Sequence, residues 1–348
     1  MSEQLSVQKA QGTGTHPRGA TRSAEPWYKS AMAKHEFALV PVLLVVTIVG
    51  ALVSPVFLSQ RNIINLLQQS SELAIVVVAL SLVLISGKFD LSLESTFALA
   101  PMLGAWLVLS PIVGGSGVNL PAWLGILIIL ATGMAVGLIN GFLVIRLGLN
   151  AFIVTLAILI LLRGLTLGLV SGRTLFELPD SFLYLGQATW LGVPVSLWVG
   201  GIVFILASLV LRYHSIGRAL YAIGGNAEAA RAAGINVAKI QWSVFIVAGG
   251  LAALAGLALA GRTASVTPSQ GTNLIFSAFA AAVIGGISLN GGRGTMLGAF
   301  LGVLLLAVIT NILTLSQIPS FWIDATNGAV ILIAILISRA TAGKEAVD

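Results

Sequence analysis

The chain is organised by apolar runs of roughly 17–25 residues, the length a helix needs to cross a hydrocarbon core about 30 Å thick. Such runs leave few choices of fold. Inside lipid every spanning backbone amide must be satisfied within its own helix or within a closed barrel, and the alternating segments of roughly ten residues that build a barrel are not the pattern here. With 57% of its 348 residues hydrophobic and 9% charged, the chain carries more apolar surface than one soluble core of its size would bury. The expected fold is all-α, a polytopic membrane protein with about ten transmembrane helices, at 37–58, 72–87, 96–113, 122–145, 151–172, 195–211, 241–262, 275–289, 296–315 and 323–338.

The cations orient these spans. With the amino-terminal tail in the cytoplasm, the inner loops and tails hold Lys9, Arg18, Arg22, Lys29, Lys34, Lys88, Arg146, Arg212, Arg218, Arg231, Lys239, Arg293, Arg339 and Lys344. The outer loops hold Arg61 and Arg173, while Arg163 and Arg262 fall within or at the edge of spans. Positive loops stay inside, so both termini are expected in the cytoplasm. The same rule accounts for the net charge of +6. The basic residues are not interleaved with aromatics, and a nucleic-acid partner is not implied.

Residues 1–36 are polar, rich in Gly, Thr, Ser and Ala, and read as a disordered cytoplasmic tail. The run from Phe37 to Leu58 is longer than a signal-peptide core and is expected to stay as the first span. The transmembrane domain then covers 37–339, with a long cytoplasmic loop at 212–240 and a short cytoplasmic tail at 340–348. The absence of cysteine excludes disulfides, thiolate metal sites and thiol nucleophiles. His16, His35 and His214 lie in tail or loop sequence, which does not build a metal cage.

Small residues recur every fourth position at Gly133, Gly137 and Gly141, at Gly164, Gly168 and Gly172, and at Ala248, Ala252, Gly256 and Ala260. Stripes of this kind let helix backbones approach closely. An internal echo links 75–107 with 278–306, each running apolar helix, Gly/Ser-rich break, helix. Broken segments of this sort often lie near a transport path, although two apolar segments also resemble one another by chance.

The loop at 212–240 is the longest polar insertion, and its centre reads as a short, bounded helix. Asn226 is a good N-cap, Glu228 sits where the positive end of the helix dipole favours a carboxylate, Arg231 follows, and Gly234 can take the left-handed position past the end. The alanines between them leave a narrow face that fits a groove of a partner.

The stretch GGNAEAARAAGINVAKI (224–240) resembles the cytoplasmic coupling loop of the ribose-permease family, the permease subunits of ABC importers for monosaccharides. SPVFLSQRNIINLLQQSS (54–71), SGKFDLSLES (86–95), NAFIVTLAILILLRGLTLGLVSG (150–172) and AAVIGGISLNGGRGTMLGAFLGV (281–303) follow the family pattern in order. The resemblance covers Phe37 to Arg339. It implies a permease domain, a bacterial cytoplasmic (inner) membrane location, and coupling to the ATPase through Gly224, Gly225, Asn226, Glu228, Ala229, Arg231, Gly234 and Ile235. It also implies partners: ABC ATPase subunits, a second permease subunit forming a homodimer, an extracytoplasmic sugar-binding protein, and membrane lipid. Where the family usually has small residues around its Asp-Leu-Ser motif, this chain has Lys88 and Glu94 flanking Asp90.

No G-x-x-x-x-G-K-[ST] run occurs, and the Gly-rich GGRGT at 291–295 reads as a tight cytoplasmic turn. ATP hydrolysis is therefore expected in a separate subunit, with no enzyme activity and no cofactor in this chain. Candidate path or gate residues are Asp90, Ser92, Arg163 and Asn290. Capping is the ordinary role for Asp90, as for Asp324 at the start of the last span. Arg163 lies deep in the fifth span and should face the bundle interior with carbonyl or carboxylate partners, because an unpaired charge there costs about 2.5–3.5 kcal/mol or more. Neutral groups suited to a sugar include Asn140, Asn150, Asn290, Asn311 and Phe279, which the sequence does not rank. The alternative is a self-sufficient secondary transporter or channel. Ion coupling in that class would call for intramembrane carboxylates, and the expected spans hold almost none beyond their edges. A membrane-bound enzyme finds no clustered His, Cys or carboxylate chemistry.

Overall fold

The computed structural model describes residues 35–323, 325, 326, 328–330 and 332. The tails at 1–34 and 340–348, Asp324 and much of the expected span at 323–338 lie outside the described residues. The fold is all-α. In chain order the helices are α1 (His35–Val53), α2 (Gln60–Ile85), α3 (Leu93–Val108), α4 (Ala122–Gly141, continued by a π-turn at Phe142–Arg146) and α5 (Ala151–Leu169). Next come α6 (Asp180–Gln187), a two-residue hairpin of β1 (Thr189–Trp190) and β2 (Val193–Pro194), α7 (Val195–Tyr213), α8 (Ser215–Gly225) and α9 (Ala227–Ala232). Then come α10 (Val237–Thr263), α11 (Leu274–Ile284) and α12 (Met296–Leu315), and the described residues at 320–323, 325, 326, 328–330 and 332 are helical as well.

Six of these are long and apolar enough to cross a membrane: α2, α4 with its π-turn, α5, α7, α10 and α12. α1, α3 and α11 are apolar but shorter in the qualifying stretch. α2 is the central post, with 89% of its most apolar window buried and every residue from Ile75 to Ile85 inside except for a trace of Leu82. A helix apolar all round must be surrounded by other helices. α5 and α7 are peripheral, each with 22% of the window buried, and present apolar faces outward.

α2 begins at Gln60, well before the expected start at residue 72. Its first half is polar enough to escape a hydropathy window, yet its polar side chains have partners. Ser59 accepts the Asn62 amide at 3.3 Å as N-cap. Asn62 pairs with Asn311 of α12 at 2.9 Å, and Gln68 donates to the Gly186 carbonyl at 2.5 Å. A helix that buries its amides against neighbours in this way can continue through residues that lipid would reject.

Two of the three small-residue stripes pack within the chain. A Cβ on Gly133 or Gly137 of α4 would fall on the backbone of Gly249 or Phe245 of α10, so the two helices touch backbone to backbone. Ala248, Ala252 and Ala260 are fully buried, and Gly256 lies against the Phe97 carbonyl of α3. The stripe on α5 differs. A Cβ on Gly164 or Gly168 would meet nothing within 4 Å.

Both segments of the sequence echo run helix, break, helix: α2, 86–92 and α3 over 75–107, and α11, 285–295 and α12 over 278–306. The structure also repeats a second unit: long helix, non-helical segment, short helix. α2, residues 86–92 and α3 form the first, and α10, residues 264–273 and α11 form the second. They run in opposite senses. The Gln241 side chain near the start of α10 donates to the Ser86 carbonyl at the end of α2, whereas Arg262 near the end of α10 bonds Glu72 further back in α2. The first turns of α3 and α11 then meet, with the Ile275 amide 3.4 Å from a Glu94 carboxylate oxygen.

Candidate functional site

The loop between α7 and α10 folds into α8 and α9, and α9 is the short helix its sequence encodes. Asn226 has an extended backbone and its Oδ1 accepts the amides of Glu228 and Ala229, both at 3.0 Å. Those are two of the donors a helix start leaves without partners. Gly234 stands past the end at φ +83°, a conformation free of Cβ strain only for glycine. Ala230 is the buried residue of α9 and packs with Ile223 and Val237, with Ile235 at the edge of this small cluster. Glu228, Ala229, Arg231 and Gly234 face outward. α9 therefore rests on a small apolar base and offers its opposite face to a partner.

Below α9 three glycine-bearing segments converge. A Cβ on Gly224 would collide with the Ile85 carbonyl and the Gly292 amide, and one on Gly291 would meet Gly87 and Gly224. The Gly292 amide donates to the Ile85 carbonyl at 2.9 Å, and the Tyr221 hydroxyl of α8 donates to the Gly294 carbonyl at 2.7 Å. The sequence marks glycines here, but nothing in it says that 87, 224 and 291–292 would meet. Gly225 has open space around its own Cβ position, but a Cβ on Gly292 would strike its backbone, so it takes part in the close approach with Gly224. Asn290 is exposed in the turn beside this junction, its amide bonded to Ser288 Oγ at 3.2 Å.

From this junction residues 86–92 climb into the bundle. Asp90, Ser92 and Asn140 form one buried network: Asp90 Oδ1 accepts the Ser92 amide at 3.0 Å and the Ser92 hydroxyl at 2.6 Å, and Asn140 Nδ2 donates to Ser92 Oγ at 2.7 Å. The Leu91 amide donates to Thr155 of α5 at 3.1 Å. Asp90 is not the N-cap of α3, which is Ser92. It closes a turn one step earlier and ties the segment to α4 through Asn140.

Arg163 finds both kinds of partner expected for it. Its guanidinium donates to the Pro268 carbonyl at 3.0 Å, to the Gln270 carbonyl at 3.2 Å and to Glu94 at 2.9 Å. Glu94 is in the first turn of α3 and also takes the Ile275 amide from the first turn of α11. One carboxylate thus stands at two positive helix ends and beside a guanidinium, an arrangement that compensates its charge from three directions. A second buried pair links Arg262 to Glu72, with Nε to Oε1 at 2.6 Å and Nη2 to Oε2 at 3.0 Å. The carboxylates inside the helices are therefore more numerous than the hydropathy reading counted, and each of these two has an arginine.

The remaining neutral candidates separate by position. Asn150 caps α5 by accepting the Ile153 amide at 3.2 Å, and Asn311 pairs with Asn62. Phe279 stacks on Phe89 with ring centroids 6.1 Å apart, and Phe152 meets Phe89 edge-on at 6.3 Å. Sequence reasoning did not single out Phe89 or Phe152, because the contact joins a break to two helices far away in the chain.

The family described as "Branched-chain amino acid transport system / permease component" matches residues 62–338. The "Ribose import permease protein RbsC" of Escherichia coli (strain K12) is 36% identical over 323 residues, covering 92% of this chain and 98% of the relative. RbsC of Bacillus subtilis (strain 168) is 36% identical over 299 residues, covering 85% and 90%. The "L-arabinose ABC transporter permease protein AraH" of Azospirillum brasilense is 32% identical over 304 residues, covering 86% of each. No solved structure matches.

Proposed function

The chain belongs to this branched-chain amino acid transport system / permease component family, and from that premise we propose that it is the membrane-spanning subunit of an ATP-driven importer for a monosaccharide or related polyol. Its relatives named for ribose and L-arabinose transport support the substrate class. The observation that carries the coupling mechanism is α9: a capped helix with one face on its apolar base and Glu228, Ala229 and Arg231 turned outward.

The ATPase subunit seats on that face, with Gly224, Gly225, Asn226, Gly234 and Ile235 setting the helix in place. ATP is bound and hydrolysed there, and this chain holds no cofactor of its own. A second copy completes the permease within the lipid of a bacterial inner membrane, both termini lie in the cytoplasm, and an extracytoplasmic binding protein delivers the solute. Beside α9 an open groove of about 490 Å³, lined in part by Ser215, Arg218, Ala222 and Asn236, extends the surface available to the ATPase. A self-sufficient ion-coupled transporter would need a free intramembrane carboxylate. Glu72 and Glu94 are each paired with an arginine, and Asp90 is bonded to Ser92 and Asn140.

Reconstitution tests the reading. Proteoliposomes containing the permease and its ATPase are expected to take up the solute only with internal ATP and external binding protein. Equal uptake without the ATPase would establish the secondary-transporter alternative.

A further inference from the structure

Residues 89–94 touch both α5 and α11, at two levels. At the lower level Phe89 meets Phe152 of α5 and Phe279 of α11. At the upper level Glu94 meets Arg163 of α5 and Ile275 of α11. The two α5 residues lie eleven positions apart, so they project from the same side of the helix about 16 Å from one another. α5 and α11 therefore flank 89–94, and the face between them exposes Phe152 and Phe276, each about half accessible.

The depth of the upper level fixes what this face can meet. Arg163 lies about 9 Å in from the outer end of α5, a helix whose length of about 28 Å matches the hydrocarbon core. Gly256, which packs on Phe97 at the same level, lies about 10 Å in from the outer end of α10. Pro268 and Gln270 are bonded to Arg163, and Gln270 also to the Phe97 carbonyl at 3.0 Å, so the turns at 267–273 sit at that depth. Ser269, Thr272 and Asn273 are exposed there. Non-helical backbone and polar side chains at membrane depth do not face lipid; they persist where they are buried in protein or line a water-filled passage, and these three are not buried within this chain. Opposed broken helices meeting inside the bilayer are also where transporters of several folds hold their substrates.

We propose that the face between α5 and α11 over 89–94 lines the solute passage, with Ser269 and Thr272 at a polar upper station and Phe89, Phe152 and Phe279 at an aromatic lower one, and that the passage takes a neutral polyhydroxylated solute. Hydroxyl-bearing turns above and ring faces below suit a molecule with hydroxyls on its rim and C–H bonds on its flat faces. The assignment of solute class rests on the importer reading; the assignment of the passage does not. Asp90, Ser92 and the Asn140 amide nitrogen bond one another within the protein, Asn140 Oδ1 is buried without a partner among the described residues, and the triad is assigned a structural role in this scheme. The second permease subunit covers the open face between α5 and α11.

The test uses the native absence of cysteine in the assembled transporter. Ser269→Cys and Thr272→Cys are expected to react with a charged, membrane-impermeant methanethiosulfonate at least tenfold faster than Ile205→Cys on the outward face of α7. The rates should change at least threefold when the transporter is trapped with vanadate. Rates no higher than at Ile205→Cys in both states would overturn the passage. High rates indifferent to vanadate, with no ATP-dependent uptake, would leave the passage standing and overturn the importer reading. For the solute class, Phe279→Ala should lower uptake of the monosaccharide that the wild type accumulates at least tenfold with the ATPase still bound, while Phe279→Trp keeps most of it. Wild-type uptake by Phe279→Ala overturns the aromatic station.

Discussion

Arg163 on α5 and Glu94 on α3 stand 2.9 Å apart although 69 residues separate them in sequence, and the pair is mostly buried, with side-chain exposures of 18% and 8%. The contact holds a peripheral helix to the point where two half-helices meet. Removing one partner strands the other in a poor environment for charge, at a cost of about 3–5 kcal/mol. Arg163→Leu should therefore lower the thermal midpoint of the detergent-solubilised permease sharply. Arg163→Leu combined with Glu94→Gln should recover part of the loss, because the unpaired carboxylate is gone. A double variant no more stable than the single one would show that the arginine acts through its carbonyl contacts alone.

Two glycine stripes predict opposite outcomes for one kind of substitution. Gly137→Val places a side chain on the Phe245 carbonyl, and overpacking of this kind costs about 1–3 kcal/mol. Gly168→Val meets open space within the chain and should change the stability of the isolated subunit by less than about 0.5 kcal/mol. If a second copy packs on α5, Gly168→Val weakens dimerisation instead. Thermal unfolding together with mass measurement of the solubilised complex separates the two effects.

The coupling helix can be tested without unfolding it. Ala229 is exposed on α9, so Ala229→Trp should leave expression and thermal stability at wild-type levels while blocking ATPase association. Ala230→Pro is the harsher change. It removes the bond from the Ala230 amide to the Asn226 carbonyl, 3.0 Å in the native helix, and an interior proline costs about 3 kcal/mol. ATPase recovery per unit of inserted permease is the measurement, and full recovery with Ala229→Trp would move the docking surface elsewhere.

Single cysteines report the proposed orientation. Val118 in a loop and Thr189 in the β1–β2 hairpin are exposed on one side of the bundle, and Ala229 lies on the other. In sealed right-side-out vesicles, cysteine at 118 or 189 should react with an impermeant reagent and cysteine at 229 should not. Val118 is a better position than Gly115, where a Cβ would strike the Leu109 carbonyl. Labelling at 229 from outside would reverse the topology argued from charge.

What the sequence made legible was local. Asn226 and Gly234 bound α9 because capping is settled within a few residues, and α12 begins and ends at 296 and 315 as hydropathy suggests. The lower half of α2 was legible; its polar start was not, since Asn62 and Gln68 are stabilised by Asn311 and Gly186, far along the chain. The turns at 264–273 have no hydropathy signature that distinguishes them from an ordinary outer loop. Bonds to Arg163 and Phe97, with the pairing of Val266 and Leu175, place them inside the bundle. Glu72 and Arg262 escaped as a pair for the same reason, being 190 residues apart.

The junction of Gly87, Gly224 and Gly291–Gly292 has a mechanical consequence. Where side chains meet, a small displacement is absorbed by a change of rotamer; where bare backbones meet, there is no such compliance. A push delivered to α9 reaches Gly224, passes to the carbonyl of Ile85 and the loop at 292, and continues along 86–92 toward Glu94 with little slack. Glycine here stiffens the linkage, making it a push rod between the cytoplasmic surface and the meeting point of the two half-helices.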